Sequence, residues 1–247
     1  MKAEAVHQRR LLDLQELDTT LAQMNHRART LPEIAELERL DARIAELRNA
    51  LVVVETELGD LGREQRKAEA DVDQVRTRAE RDSRRLEAGQ VSSPKELEGL
   101  QSEIASLQRR QGELEEIVLD VMERRETAEA RRAELAKDLA TAEQDRAVTE
   151  ERRSTEISAI RADAATARDR RTRVAGEIPD DLLALYTKLR DQYGGVAAAP
   201  LRYGRCEGCK LALSTAELGE IRAALSDEVV RCENCRRILI RTTESGL

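Results

Sequence analysis

From Leu37 to Leu86 apolar residues recur at alternating intervals of three and four, and thirteen of the fifteen positions on this stripe are apolar. An unbroken seven-residue repeat keeps one narrow stripe turned towards a partner helix, which predicts a left-handed coiled coil. The same spacing from Leu97 to Ala142 gives a second stripe with eleven apolar positions of fourteen; Gln111, Arg125 and Arg132 are the exceptions. A third, shorter stripe runs through Leu14, Leu17, Leu21, Met24, Ala28 and Leu31, and its phase does not carry across Pro32.

The punctuation between stripes sets the topology. In Ala88-Gly89-Gln90-Val91-Ser92-Ser93-Pro94-Lys95-Glu96, Gly89 is suited to ending one helix. Ser93, Pro94 and Glu96 are suited to opening the next with a capping box. So short a connection predicts an intramolecular antiparallel hairpin rather than a parallel dimer. Thr30 and Glu33 predict a further capping box. Beyond Ala142 the seam weakens, because Arg146, Arg153, Glu156, Asp163 and Arg170 fall on it, so slipped register or looser packing is expected there. Pro179-Asp180-Asp181 opens a short helix with Leu182, Leu185, Tyr186 and Leu189 on its apolar face, and Gly194-Gly195 closes it. Extended segments are expected at Val196–Leu201, Lys210–Leu213 and Arg237–Ile240. A capped helix is expected from Ser214.

The expected fold class is therefore mainly α. A long antiparallel coiled-coil hairpin covers 1–176, with its turn near 88–94 and a break near 30–32. A connecting helix covers 177–195, and a small C-terminal zinc ribbon with four cysteine ligands covers 196–247.

Composition sharpens this picture. The 247 residues include 37% charged side chains, no Phe, no Trp and three Tyr, with a net charge of −7. So few bulky residues argue against a large enzyme-type core, and the charge content is that of long helices. No apolar run reaches 18 residues and the start lacks an apolar leader, so a soluble cytoplasmic protein without membrane partner is expected. An acidic chain can meet nucleic acid only through a local basic patch. His7 and His26 lie 19 positions apart with no nucleophile nearby, and they read as ordinary helix residues.

The chemistry lies in the cysteines. Cys206-Glu207-Gly208-Cys209 is followed after 22 residues by Cys232-Glu233-Asn234-Cys235. Two such turns bring four thiolates around one ion, the ligand set of a single structural Zn²⁺. A redox pair, an iron–sulfur cluster and an empty site are the alternatives, and of these a thioredoxin-like redox pair fails because neither pair sits in a strand–helix–strand context. Four cysteines also leave no open coordination position for a catalytic water. No enzymatic activity and no small-molecule substrate are expected. Folding of so small a unit should be coupled to its metal.

With these cysteines, the Leu11-Leu12-Asp13-Leu14-Gln15-Glu16-Leu17-Asp18 run, Pro94-Lys95-Glu96-Leu97, Tyr193-Gly194-Gly195-Val196 and the Cys235-Arg236-Arg237-Ile238-Leu239 ending, the chain resembles the bacterial C4-type zinc-ribbon proteins with an N-terminal coiled-coil hairpin. The resemblance implies a non-enzymatic, nucleic-acid-binding or regulatory role, with RNA and components of the transcription machinery as partners of some members. This chain departs from the family pattern at Glu233, where Pro is usual, and at Arg236, where Gly is usual. A Gly there relaxes a turn of positive φ, so strain is expected at Arg236.

Two function classes follow. In the first, Arg231, Arg236, Arg237 and Arg241, together with Lys210 and Arg205, contact the phosphates of RNA or DNA while the hairpin serves as spacer or partner-binding arm. In the second, hairpin and ribbon both bind proteins, and the arginines only solvate the ribbon. With Tyr203 as the one aromatic residue near the ribbon, base-stacking recognition is disfavoured.

Overall fold

A computed structural model describes residues 1–247. Four long or medium helices come first: α1 (Ala5–Arg29), α2 (Pro32–Glu87), α3 (Pro94–Gly176) and α4 (Asp180–Gln192). They are followed by β1 (Ala198–Arg202), β2 (Arg205–Cys206), α5 (Thr215–Ala223), β3 (Val230–Arg231) and β4 (Ile238–Ile240). The mainly α hairpin with a C-terminal ribbon is what the periodicity and cysteine spacing predict. No helix is long and apolar enough to cross a membrane.

The chain packs as two compact units, Ala35–Thr149 and Met1–Ile34 with Glu150–Leu247. In the first, α2 and α3 pair antiparallel along the two predicted stripes. Val54, Leu61, Val121 and Ala128 form one buried cluster, and Ile44, Leu47 and Ala142 another. The polar seam positions have partners: Arg125 Nη1 donates to Gln65 Oε1 at 3.0 Å, and Arg132 Nε lies 3.4 Å from Glu55. Buried Asp82 lies 3.6 Å from Arg81 and 3.9 Å from Arg85. The turn forms as expected, with Gly89 at φ 65° and a Schellman pair of bonds, Gln90 N to Arg85 O and Gly89 N to Leu86 O. Ser93 Oγ accepts from Glu96 N at 3.2 Å.

The second unit differs from expectation in four ways. Thr30 does not cap α2: its hydroxyl donates back to His26 O at 2.9 Å, and its N–H also bonds within α1, so it closes that helix. On the distal α3 seam Ile160 and Ala167 are buried in the expected phase, but Ala164 is buried in place of Asp163, and Asp163 and Arg170 line a polar cleft of about 570 Å³ against α1. The looser packing expected there is thus a groove. Residues 177–195 are more than a connector, because Leu182, Tyr186 and Leu189 of α4 share one core with Leu11 and Leu14 of α1 and Ile238 and Ile240 of β4. Finally, Met1–Ala3 pair with the ribbon: Ala3 N donates to Asp227 O (2.7 Å) and Val229 N to Met1 O (3.1 Å). The expected boundaries at 176 and 195 therefore cut through a single packed unit.

Two buried polar side chains of α1 organise this core. Gln15 Oε1 accepts from Ala197 N (2.7 Å) and Ala198 N (3.3 Å), while its amide donates to Gly195 O (2.8 Å). Gly194 and Gly195 both have positive φ, and Gly195 N closes α4 by donating to Arg190 O, so the chain is turned directly onto Gln15. One helical turn on, Asp18 accepts from Arg171 (2.6 Å), the Tyr186 hydroxyl (2.8 Å) and Arg190 (3.2 Å). Burial alone pushes the Asp18 carboxyl up, but the Arg171 and Tyr186 hydrogen bonds and the charges of Arg171 and Arg190 outweigh it and hold the pKa below its ordinary value.

A depressed folded-state pKa means that the stabilisation is complete above the unfolded value near 4 and fades as pH falls through the folded value. Asp18→Asn should cost on the order of 2–3 kcal/mol at pH 7, since it leaves two partly buried arginines without their counter-charge. It should also reduce the acid sensitivity of this unit below about pH 4. All three tyrosines belong to this unit, so thermal melts followed by near-ultraviolet tyrosine circular dichroism check both expectations.

Candidate metal centre

The sheet order is β2-β1-β4-β3, with β1 and β4 parallel and each outer strand antiparallel to its neighbour. The outer strands lead into the two CxxC turns, and the turns are copies of one another. Lys210 N donates to Cys206 O (2.7 Å) and Cys206 N to Leu211 O (3.0 Å); Arg236 N donates to Cys232 O (2.8 Å) and Cys232 N to Arg237 O (3.0 Å). The residue after each second cysteine has positive φ, 64° at Lys210 and 61° at Arg236. The strain expected at Arg236 is present, and Lys210 shares it. That geometry replaces the strand expected at Lys210–Leu213, where only an isolated bridge between Arg205 and Ala212 remains.

The four Sγ atoms lie within 4.8 Å of one another, with Cys206 and Cys235 3.8 Å apart and Cys209 and Cys232 3.9 Å apart. A regular tetrahedron with Zn–S of about 2.3 Å has edges of about 3.8 Å, so the residues fit one zinc ion. Electrostatics make the same point. Without a cation, burial pushes the Cys206 thiol up to about 12, N–H groups of Cys209 and Gly208 offsetting only part of this, and Cys232 and Cys235 adding to it. Cys232 is likewise raised by burial. Cys235 is the exception: against burial, the backbone and side-chain donors of Arg237 and the neighbouring thiols bring it to about 7. A complete set of thiolates therefore requires a bound cation. This is one structural zinc in a closed ligand set.

The basic residues divide into two groups. Arg237 is half-buried and fully engaged: Nε donates to Val196 O (2.9 Å), Nη2 to Tyr193 O (3.2 Å) and Nη1 to Gly208 O (3.3 Å), with its guanidinium 5.7 Å from the Tyr193 ring centroid. A Cβ at position 208 would come within 2.9 Å of Arg237 Cδ and 3.0 Å of Ala199 Cβ, which explains glycine in the first turn. Arg241 donates to Ala224 O (2.8 Å), Leu225 O (2.6 Å) and Glu228 O (2.9 Å), closing the C-terminal end of α5. That helix opens with the predicted capping box between Ser214 and Glu217.

Arg237 and Arg241 are thus structural cations, and the single basic face expected from 231, 236, 237 and 241 is not assembled. Arg205, Lys210, Arg231 and Arg236 remain exposed. They occupy equivalent places: Arg205 Nη2 donates to Lys210 O (2.6 Å), and Arg231 Nε donates to Arg236 O (2.7 Å). Sequence reasoning passed over the signal for this, the repeated hexapeptide Arg205-Cys-Glu-Gly-Cys-Lys210 and Arg231-Cys-Glu-Asn-Cys-Arg236.

Comparison with known proteins agrees with this architecture. Residues 14–194 match the CT398-like coiled coil hairpin domain and residues 205–239 the C4-type zinc ribbon domain. An uncharacterized protein of Mycobacterium tuberculosis is 37% identical over 250 residues, covering 98% of each chain. A solved structure from Mycobacterium smegmatis has a TM-score of 0.84 at 35% identity, covering 98% of this chain and 100% of that one. CT398 from Chlamydia trachomatis shares the fold with a TM-score of 0.69 at 21% identity, covering 96% and 98%.

Replacing Arg236 or Lys210 by Gly should relieve positive-φ strain of about 1 kcal/mol per site, roughly a fivefold gain in zinc retention. Competition with a chromogenic chelator measures it. Weaker retention in both variants would contradict the strain assignment.

Proposed function

The chain belongs to the family of CT398-like coiled-coil hairpin proteins that carry a C4-type zinc ribbon, and on that premise we propose that it is a non-enzymatic regulator whose ribbon contacts the phosphates of nucleic acid. The hairpin then serves as spacer or partner-binding arm. The observation that supports this reading is the duplicated turn, which sets an exposed cation before and after each cysteine pair: Arg205 and Lys210 on one, Arg231 and Arg236 on the other. Four cations beside a zinc–thiolate centre of net charge about −2 give an excess of about two positive charges. Glu207, paired with Lys210, and Glu233 bring the sum to about zero, so the reading rests on the exposed placement of the four cations and not on net charge. Contacts of this kind are to backbone and shape, not to base sequence. The lack of an open coordination position at zinc supports a role without catalysis.

A second reading rests on a different observation. Val52 and Val53 on α2 and Leu119 and Met122 on α3 are exposed on the paired helices, and apolar side chains in that setting support an adaptor that binds proteins.

Fluorescence anisotropy of the zinc-loaded protein with an RNA and a duplex DNA, at two salt concentrations, separates the readings. Lys210→Gln/Arg236→Gln should weaken binding at least tenfold and lower the salt dependence on duplex DNA by about two. Zinc content verifies the fold of the variant. No binding to either nucleic acid at low salt, or unchanged binding by the variant, would leave the adaptor reading.

A further inference from the structure

Against the outer edge of β3 and the face of α5 lies a groove of about 270 Å³. Its floor is apolar, with Leu213, Ile221 and Val230, and Glu220, Glu228 and Glu233 stand on its rim. Within the groove lining, the one basic side chain is Arg231, whose Nε is already bonded to Arg236 O. The rim therefore carries a net negative charge.

The strand edge beside the groove is open. Cys232 N donates to Arg237 O, so in the antiparallel β3–β4 register the pair 232/237 is hydrogen-bonded and the pair Arg231/Ile238 is not. The N–H and C=O of Arg231 accordingly point outward. Farther back, this same edge is already used, since Met1–Ala3 run antiparallel to it with bonds at Asp227 and Val229. Coverage stops before Arg231.

From this edge, floor and rim we infer that the groove docks an extended segment of a partner protein in which an aliphatic side chain is flanked by Lys or Arg. The segment hydrogen-bonds to Arg231 as an added strand, seats its aliphatic side chain on Leu213, Ile221 and Val230, and sets its cations against Glu220, Glu228 and Glu233. Charge complementarity excludes an acidic segment or a nucleic-acid strand from this site. The inference does not rest on phosphate binding by the cysteine turns, although Arg231 belongs to both sites.

The test uses the full zinc-loaded chain and a fluorescein-labelled peptide of alternating Lys and Val, at low and moderate salt. Binding is expected, with at least a tenfold loss in Glu220→Lys/Glu228→Lys. Little change is expected in Glu115→Lys/Glu123→Lys, which alters the net charge equally on the α3 helix. A peptide N-methylated at alternate amides keeps charge and side chains but cannot add a strand, so it should also bind at least tenfold more weakly. Equal losses in the two charge variants would reduce the effect to non-specific attraction by an acidic protein and overturn the inference. Undiminished binding of the N-methylated peptide would overturn the strand-addition geometry, and absence of binding would overturn the site. Zinc content and the tyrosine signal confirm that each variant is folded.

Discussion

Four cysteine sulfurs held within 4.8 Å of one another repel as thiolates unless a cation sits among them, and the C-terminal sheet depends on that constraint. β2 and β3 contain two residues each and β4 contains three, too few to hold a sheet by ladder bonds alone. The ion joins the two outer strands through their turns, and Arg237 ties the turns back to the helices through carbonyls at 193, 196 and 208. Substitution at Arg237 is therefore a structural experiment before it is a functional one.

The helices hold the sheet from the other side. Gln15 takes the N–H groups of Ala197 and Ala198, and Ile238 and Ile240 lie in one core with Leu11, Leu14 and Tyr186. Gln8, also buried, donates to Ala3 O at 2.7 Å and reaches Ser226 O at 3.3 Å. The ribbon is thus not a separate bead on a linker. Its metal, its sheet and the polar side chains of α1 form one packed unit, and each supplies what the others lack: the metal closes the turns, and the helices cover the apolar face of the sheet.

Much of this was legible from the chain alone, for reasons that differ by element. The α2–α3 seam was readable because a narrow apolar stripe is a one-dimensional pattern that survives in sequence, and the turn at Gly89 was readable because its chemistry is local. The zinc ligands were readable because four cysteines at that spacing have few other uses. What was missed is long-range polar pairing. Gln8, Gln15 and Asp18 share the three- and four-residue spacing with Leu11, so polar residues on an apolar face were a visible clue, but the partners that tie them to the rest of the fold lie more than 150 positions away. Arg237 and Arg241 were grouped with Arg231 and Arg236 because sequence shows charge without showing which guanidinium already has its carbonyls. The same limit hid the shift from Asp163 to Ala164 on the distal seam, where Arg171 is drawn in by Asp18.

Zinc, sheet and α1 thus make one cooperative unit, and hydrogen exchange with and without chelator puts that cooperativity to the test. Removing zinc should lower amide protection not only in the ribbon, at 205–239, but also along β1 and in α1 around Leu11 to Asp18, where Gln15 loses its backbone partners. Loss confined to 205–239, with α1 and α4 fully protected, would refute the single unit and restore the picture of an independent ribbon.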